Sequence, residues 1–207
     1  MAIIETLTAE SVLEFEHCIG RGGVAVFPAD TVYGLACNPG SVSSVERMYA
    51  LKNRARERPA AVMFFQLERA LTAFDWLGER TTDAVRRLLP GPLTLVLPNP
   101  EGRYALAGGG DGLGLRVPKL EGRLDPLAKA RVAVLQTSAN PSGGSDARRL
   151  DDVDPELVSG VDCVLDGGEL SGLSSSVVDL TRFEEDGTWA LLRETAMSGE
   201  EVAALLP

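Results

Sequence analysis

One histidine and three cysteines in 207 residues leave little material for nucleophile–base or thiol chemistry. Cys18, Cys37 and Cys163 are odd in number, widely spaced and in no CxxC pattern. They indicate neither a disulfide framework nor a zinc site, and they fit a reducing cytoplasm. His17 stands on a helical pattern and is expected at the surface, and none of the loop motifs described below contains a histidine partner, which argues against a covalent Ser or Cys intermediate. No apolar run approaches the roughly 20 residues of a membrane span. The opening "MAIIETLTAE" lacks a basic segment followed by a long apolar one, so neither a membrane nor an exported protein is expected. Positive charge is scarce too. A formal net charge of −10 opposes a nonspecific nucleic-acid coat, which needs many cations to displace counterions from phosphate.

What is present suffices for a large core, since 44% of the residues are hydrophobic and 24% charged. With neither internal repeat nor low-complexity linker, residues 1–207 are read as one domain. The charge is uneven: residues 46–58 carry a local +3, residues 146–169 a local −6. A compact basic patch on an acidic body suits a pocket for a small anion. Within it, "LKNRARERPAAVMFF" (51–65) sets Lys52, Arg54, Arg56 and Arg58 at every second position. Pro59 pushes its predecessor toward extended backbone, where all four side chains would point one way.

Short β-branched or apolar runs at 23–29, 60–65, 93–98, 113–118, 132–136, 161–166, 175–181 and 188–193 read as strands. Helical spacing covers 9–19, 42–52, 82–89 and 198–206, with Thr8, Ser41 and Thr81 as N-caps and Gly20 as a stop. The fold class is α/β. The turn "EEDG" (184–187) signals a hairpin, so the sheet is expected to be mixed.

Loops at strand ends hold the polar groups. "FPADTVYGLACNP" (27–39) interrupts a strand with Pro28 and Gly34 and sets Thr31 and Tyr33 at its exit. "LLPGPLTLVLP" (88–98) is a rigid turn into a strand. "GGGDGLGLRVP" (108–118) leads into a strand instead of opening a helix, so it is no dinucleotide fingerprint, and it reads as a flexible loop before Arg116. "LQTSANPSGGSDA" (135–147) crowds a loop with small donors and exposed amides that can wrap phosphate, although the same residues also make ordinary turns.

Taken together and in order, "PADTVYGL", "LKNRARERP", "LPGPLTLVLP", "LRVP", "TSANPSGG", "SSSVVDL" and "LLRETAMS" make the chain resemble the YrdC family of threonylcarbamoyl-AMP synthases over essentially its whole length. The resemblance implies a single α/β domain with a twisted mixed sheet flanked by helices and a deep, basic, concave cavity. The longer family members' additional C-terminal domain is not expected. It implies formation of L-threonylcarbamoyl-adenylate and pyrophosphate from L-threonine, bicarbonate and ATP with Mg²⁺, for threonylcarbamoyladenosine in tRNA. Partners would be the other proteins of that pathway, with weak RNA binding as a secondary property.

By the same resemblance, Lys52, Arg54, Arg58, Ser138, Asn140 and Arg193 contact ATP, and Thr31, Tyr33, Arg116 and Ser175 contact threonine, with Arg116 on its carboxylate. Lys52 and Arg54 act by positioning, and no residue is assigned as a general base. Arg56 has no counterpart in the pattern and is expected to be solvated beside Glu57. Tyr33 read alone would be a packed aromatic. Met63 stands where some relatives have histidine, Gly112 where many have threonine, and Asp146 near a family serine. Two alternatives stay open: carbamoyl-adenylate chemistry like that of hydrogenase-maturation carbamoyltransferases, whose zinc-finger and acylphosphatase modules this chain lacks, and a YrdC-like double-stranded-RNA or nucleotide binder without the activity.

Overall fold

Thr8 and Ser41 open helices as their positions predict. The Thr8 hydroxyl accepts from the Ser11 amide at 3.2 Å and begins α1 (Ala9–Gly20), and the Ser41 hydroxyl accepts from Ser44 at 3.3 Å and begins α2 (Val42–Leu51). The computed structural model describes residues 2–4, 6–53, 55 and 58–206. Its strands are β1 (Ala2–Ile4), β2 (Val24–Pro28), β3 (Tyr33–Cys37), β4 (Ala61–Met63), β5 (Leu93–Pro98), β6 (Gly112–Arg116), β7 (Val134–Ser138), β8 (Cys163–Leu165), β9 (Ser176–Asp179) and β10 (Ala190–Arg193). The remaining helices are α3 (Leu67–Ala73), α4 (Glu79–Leu88), α5 (Pro155–Gly160), α6 (Phe183–Asp186) and α7 (Gly199–Leu205).

All ten strands join one sheet in the order β1-β8-β2-β3-β7-β4-β6-β5-β9-β10. It is mixed, as expected: β1/β8, β8/β2, β4/β6 and β5/β9 run parallel, and the other neighbours antiparallel. Helices α1 and α2 pack on the β8-β2-β3 half, and α4 gathers α6 and α7. The half from β7 to β10 shows why a cleft forms. In β5 the leucines Leu93, Leu95 and Leu97 are fully buried, while Thr94 and Val96 face the other way; in β6 Leu113 and Leu115 are buried between Gly112, Gly114 and Arg116. The period of two puts large apolar residues on the core side and small ones on the other.

Several local expectations are corrected. The stretch read as interrupted by Pro28 and Gly34 is an antiparallel hairpin: Pro28 ends β2, Gly34 lies inside β3, and Pro28 pairs with Tyr33. A Cβ on Gly34 would stand 3.0 Å from Phe27 and 3.1 Å from Gln136, so the glycine serves close strand packing and not a break. β6 likewise starts at Gly112, within the stretch read as a flexible loop. Thr81 is not a cap; α4 starts after Gly78, and the Thr81 amide donates to the Glu184 carboxylate at 2.8 Å. Gly20 is the last helical residue, with the reversal at Gly22 (φ +80°). "EEDG" forms most of α6, closed by Gly187, and it still joins antiparallel β9 and β10.

The alternating cations do not form an extended comb in the described part. Lys52 is the helical C-cap of α2, Asn53 takes a left-handed conformation (φ 48°), and the Arg58 amide bonds back to Ala55. Helix termination and a turn decide the backbone before the alternation can act. Arg54 and Arg56 lie outside the described residues. No helix among the described residues is long and apolar enough to cross a membrane.

Candidate active site

A cleft of about 420 Å³ opens on the bare face of the β7-to-β10 half of the sheet. Its floor is built from Ala61, Gly112 and Gly114, where side chains would intrude: a Cβ on Gly112 would sit 2.9 Å from Val96, and one on Gly114 would sit 3.3 Å from Ala61. Gly112 and Gly114 therefore leave this part of the cleft open. Its walls carry Arg116 and Arg193, with Asp146 as their acidic counterpart, and the polar groups of Thr94, Gln136, Thr137, Ser138 and Ser175.

Arg116 ends β6 beside Met63 of β4, which is fully buried. The β2–β3 turn delivers Asp30 and Thr31 to it: Nη2 donates to Asp30 Oδ1 at 2.8 Å and to Thr31 Oγ1 at 3.1 Å, and Nη1 reaches Gln136 Oε1 at 3.4 Å. Burial pulls the guanidinium below its ordinary pKa, opposed by Asp30 and reinforced by Arg193. Burial likewise raises the Asp30 carboxyl, opposed by Arg116 and by the Lys119 amide. Asp30 stood within the quoted "PADTVYGL" without being singled out; only the folded turn shows what it faces.

Across the cleft, Arg193 donates from Nε and Nη2 to the Ser175 carbonyl at 3.0 and 2.6 Å, and the Ser175 hydroxyl bonds Thr94 at 2.8 Å. A register shift in β10 between Leu191 and Arg193 turns Leu192 onto the cleft, a role for bulges that no sequence pattern announced. At the β7 end, Lys52 is buried to 1% exposure, and its ammonium is held by the Ser138 carbonyl and by Asn140 Oδ1 at 3.1 Å. Ser142 N donates to the Lys52 carbonyl at 3.0 Å, and Arg58 reaches the Ser142 hydroxyl at 3.4 Å. The loop after α2 and the "TSANPSGG" loop are therefore stitched together, with Ser138 facing the cleft.

Thr31, Arg116, Ser138, Ser175 and Arg193 are thus gathered on or directly behind one cleft, and Lys52, Asn140 and Arg58 around its β7 edge. Tyr33 is not brought there. It is fully buried, donating to Asp166 Oδ1 at 2.8 Å and the Gly168 carbonyl at 2.9 Å and accepting from Gly167 N at 2.9 Å. Burial, with Asp166 adding, raises its pKa far above the ordinary phenol value. Tyr33→Phe is expected to lower stability by about 1–3 kcal/mol, the cost of leaving buried partners unsatisfied, and to leave threonine affinity unchanged. Urea unfolding beside threonine titration checks both halves.

Arg116 and Arg193 thus stand among the hydroxyls of Thr94, Thr137, Ser138 and Ser175 around one cleft on the sheet of an α/β protein. The family model for Sua5/YciO/YrdC, described as "Telomere recombination", matches residues 17–195, and the chain belongs to that family. The chain is 33% identical over 178 residues to the threonylcarbamoyl-AMP synthase of Hahella chejuensis, covering 85% of this chain and 94% of that one. It is 30% identical over 190 residues to the threonylcarbamoyl-AMP synthase of Pyrococcus abyssi, covering 91% of this chain but only 55% of that longer protein. Among solved structures, P. abyssi Sua5 complexed with L-threonine superposes with a TM-score of 0.85 at 27% identity, over all of this chain and 61% of that one. E. coli YciO, at 22% identity, shares the fold with a TM-score of 0.76.

Proposed function

We propose that this chain is an L-threonylcarbamoyladenylate synthase, a nucleotidyltransferase that makes threonylcarbamoyl-AMP and pyrophosphate from L-threonine, bicarbonate and ATP. The product would serve threonylcarbamoyladenosine modification of tRNA in the cytoplasm, together with the other proteins of that pathway. The observation that carries this reading is the likeness to threonylcarbamoyl-AMP synthases over 85–91% of the chain. The cations and hydroxyls of the cleft support it.

Threonine's amine captures bicarbonate or CO₂ to give an N-carboxy anion, and this carboxylate attacks the α-phosphorus of ATP while pyrophosphate leaves. Both partners are anions, so the protein's task is to hold them in line and to offset charge gathering on the phosphates. Arg116, Thr31 and Ser175 form the threonine side in this reading, with the carboxylate at Arg116. Ser138, Asn140, Arg193, Arg58, Lys52 and Arg54 form the nucleotide side. Lys52 acts there by tying Ser138 and Asn140 together, and its charge reaches the phosphates from behind that loop. Mg²⁺ would enter with the ATP substrate. No general base is required once the carbamate has formed.

Incubating purified protein with ATP, bicarbonate and radiolabelled threonine tests the proposal. Adenylate and pyrophosphate should form only when all three substrates are present. No product, combined with RNA retention that collapses steeply as salt rises, would favour the RNA-binding reading instead.

A further inference from the structure

Arg116 stands where a lone cation is heavily penalised. Its side chain is 4% exposed, and so is nearly cut off from water. The group that offsets this is Asp30, itself 6% exposed, with Oδ1 at 2.8 Å from Nη2. The other carboxylate oxygen accepts from the Lys119 amide at 3.1 Å, which ties the β2–β3 turn to the segment leaving β6. Thr31 and Gln136 hold the same end of the guanidinium. Nε, in contrast, is buried and has no hydrogen-bond partner among the described residues. The side chain is therefore anchored at its terminal nitrogens, by the β2–β3 turn and by β7.

We propose that Asp30 is a positioning residue for the amino-acid substrate. It holds Arg116 in one orientation at the cleft, so that the guanidinium an incoming carboxylate meets is already placed. The inference rests on the function proposed above, since it needs an anionic group in this part of the cleft. Fixing the guanidinium before the ligand arrives spares its ordering on binding, and a preset guanidinium pairs most strongly with a carboxylate. Asp30 also completes charge balance: with it in place, the Arg116 end of the cleft carries a cation whose partner is already in the fold, and the nucleotide side is left to Arg193 and its neighbours.

Calorimetric titration of L-threonine, and separately of ATP with Mg²⁺, into wild type, Asp30→Asn and Asp30→Glu tests this. The amide keeps the shape and an acceptor oxygen but loses the charge. Asp30→Asn is expected to raise the threonine Kd roughly tenfold to a hundredfold, as loss of a charge-assisted hydrogen bond to the binding group would, with the ATP Kd within about twofold. Asp30→Glu, keeping the charge but moving it by one methylene, should fall between, and it alone carries the test if the Asn variant does not fold. A purely structural role for Asp30 would lower the melting point and weaken both ligands together. An unchanged threonine Kd in a folded variant, or equal weakening of both ligands, overturns the proposal. The two claims separate in the wild type. Threonine binding without product would sink the synthase reading while the titration still judges Asp30; no threonine binding would sink both.

Discussion

Arg116→Gln is expected to raise the threonine concentration needed for half-maximal turnover about tenfold to a hundredfold, with little change in the ATP requirement. A charge-assisted hydrogen bond is worth about 1.5–3 kcal/mol, and each 1.4 kcal/mol is a factor of ten. A second effect accompanies the first. The substitution leaves the Asp30 carboxylate buried opposite a neutral amide, and breaking a buried pair from one side typically costs about 3–5 kcal/mol of stability. The double variant Asp30→Asn/Arg116→Gln should recover much of that stability, because no buried charge is left uncompensated, yet it should bind threonine no better than the single variant. Steady-state kinetics in both substrates, beside urea unfolding of the single and double variants, separates the two effects. Equal losses for threonine and ATP would remove Arg116 from the threonine side.

Lys52→Ala is expected to lower kcat/KM for ATP roughly tenfold to a hundredfold and to depress the melting temperature as well. The ammonium is the shared donor of the Ser138 carbonyl and Asn140 Oδ1, and it lies inside the protein, not on its surface. Its loss takes a charge away from the nucleotide side and leaves two acceptors without their cation, so that the "TSANPSGG" loop loosens. Threonine affinity should change far less, since the shortest bonds of Arg116 go to Asp30 and Thr31 of the β2–β3 turn and not to this loop. Wild-type turnover in Lys52→Ala would show that neither the lysine nor the loop it organises belongs to the nucleotide site.

Much of the fold was legible because it rests on local periodicity. The run 93–98 reads as an alternating strand and is one, with its leucines inward, and Thr8 and Ser41 cap helices because a hydroxyl at that position accepts an otherwise unpaired amide. Most of the elements that were missed are short or lack such signals. β1 has three residues, α6 has four, and α3 has no side-chain cap; α5 is only six residues long, although Asp154 caps it ahead of Pro155; β3 hides behind a glycine that strand packing, and not a turn, requires. Thr81 shows the limit of capping rules: the carboxylate that meets its amide comes from Glu184, more than a hundred residues away.

Residue types in order along the chain suffice for the α/β class, the mixed sheet, the motifs and hence the family. They also set the cleft's floor, since small residues at alternate positions of β6 leave one face of the strand bare. The tertiary structure decided which motif residues meet. It took Lys52 out of an expected row of exposed cations and buried it against Ser138 and Asn140, and it sent the Tyr33 hydroxyl to Asp166 instead of the cleft. It also paired Arg116 with Asp30, 86 positions earlier. Such pairings depend on strand order and on where turns fold back, and in a sheet ordered β3-β7-β4-β6 the neighbours in space are distant in sequence. Burial then fixes their meaning, because a charge removed from water must find its partner wherever the chain has placed one.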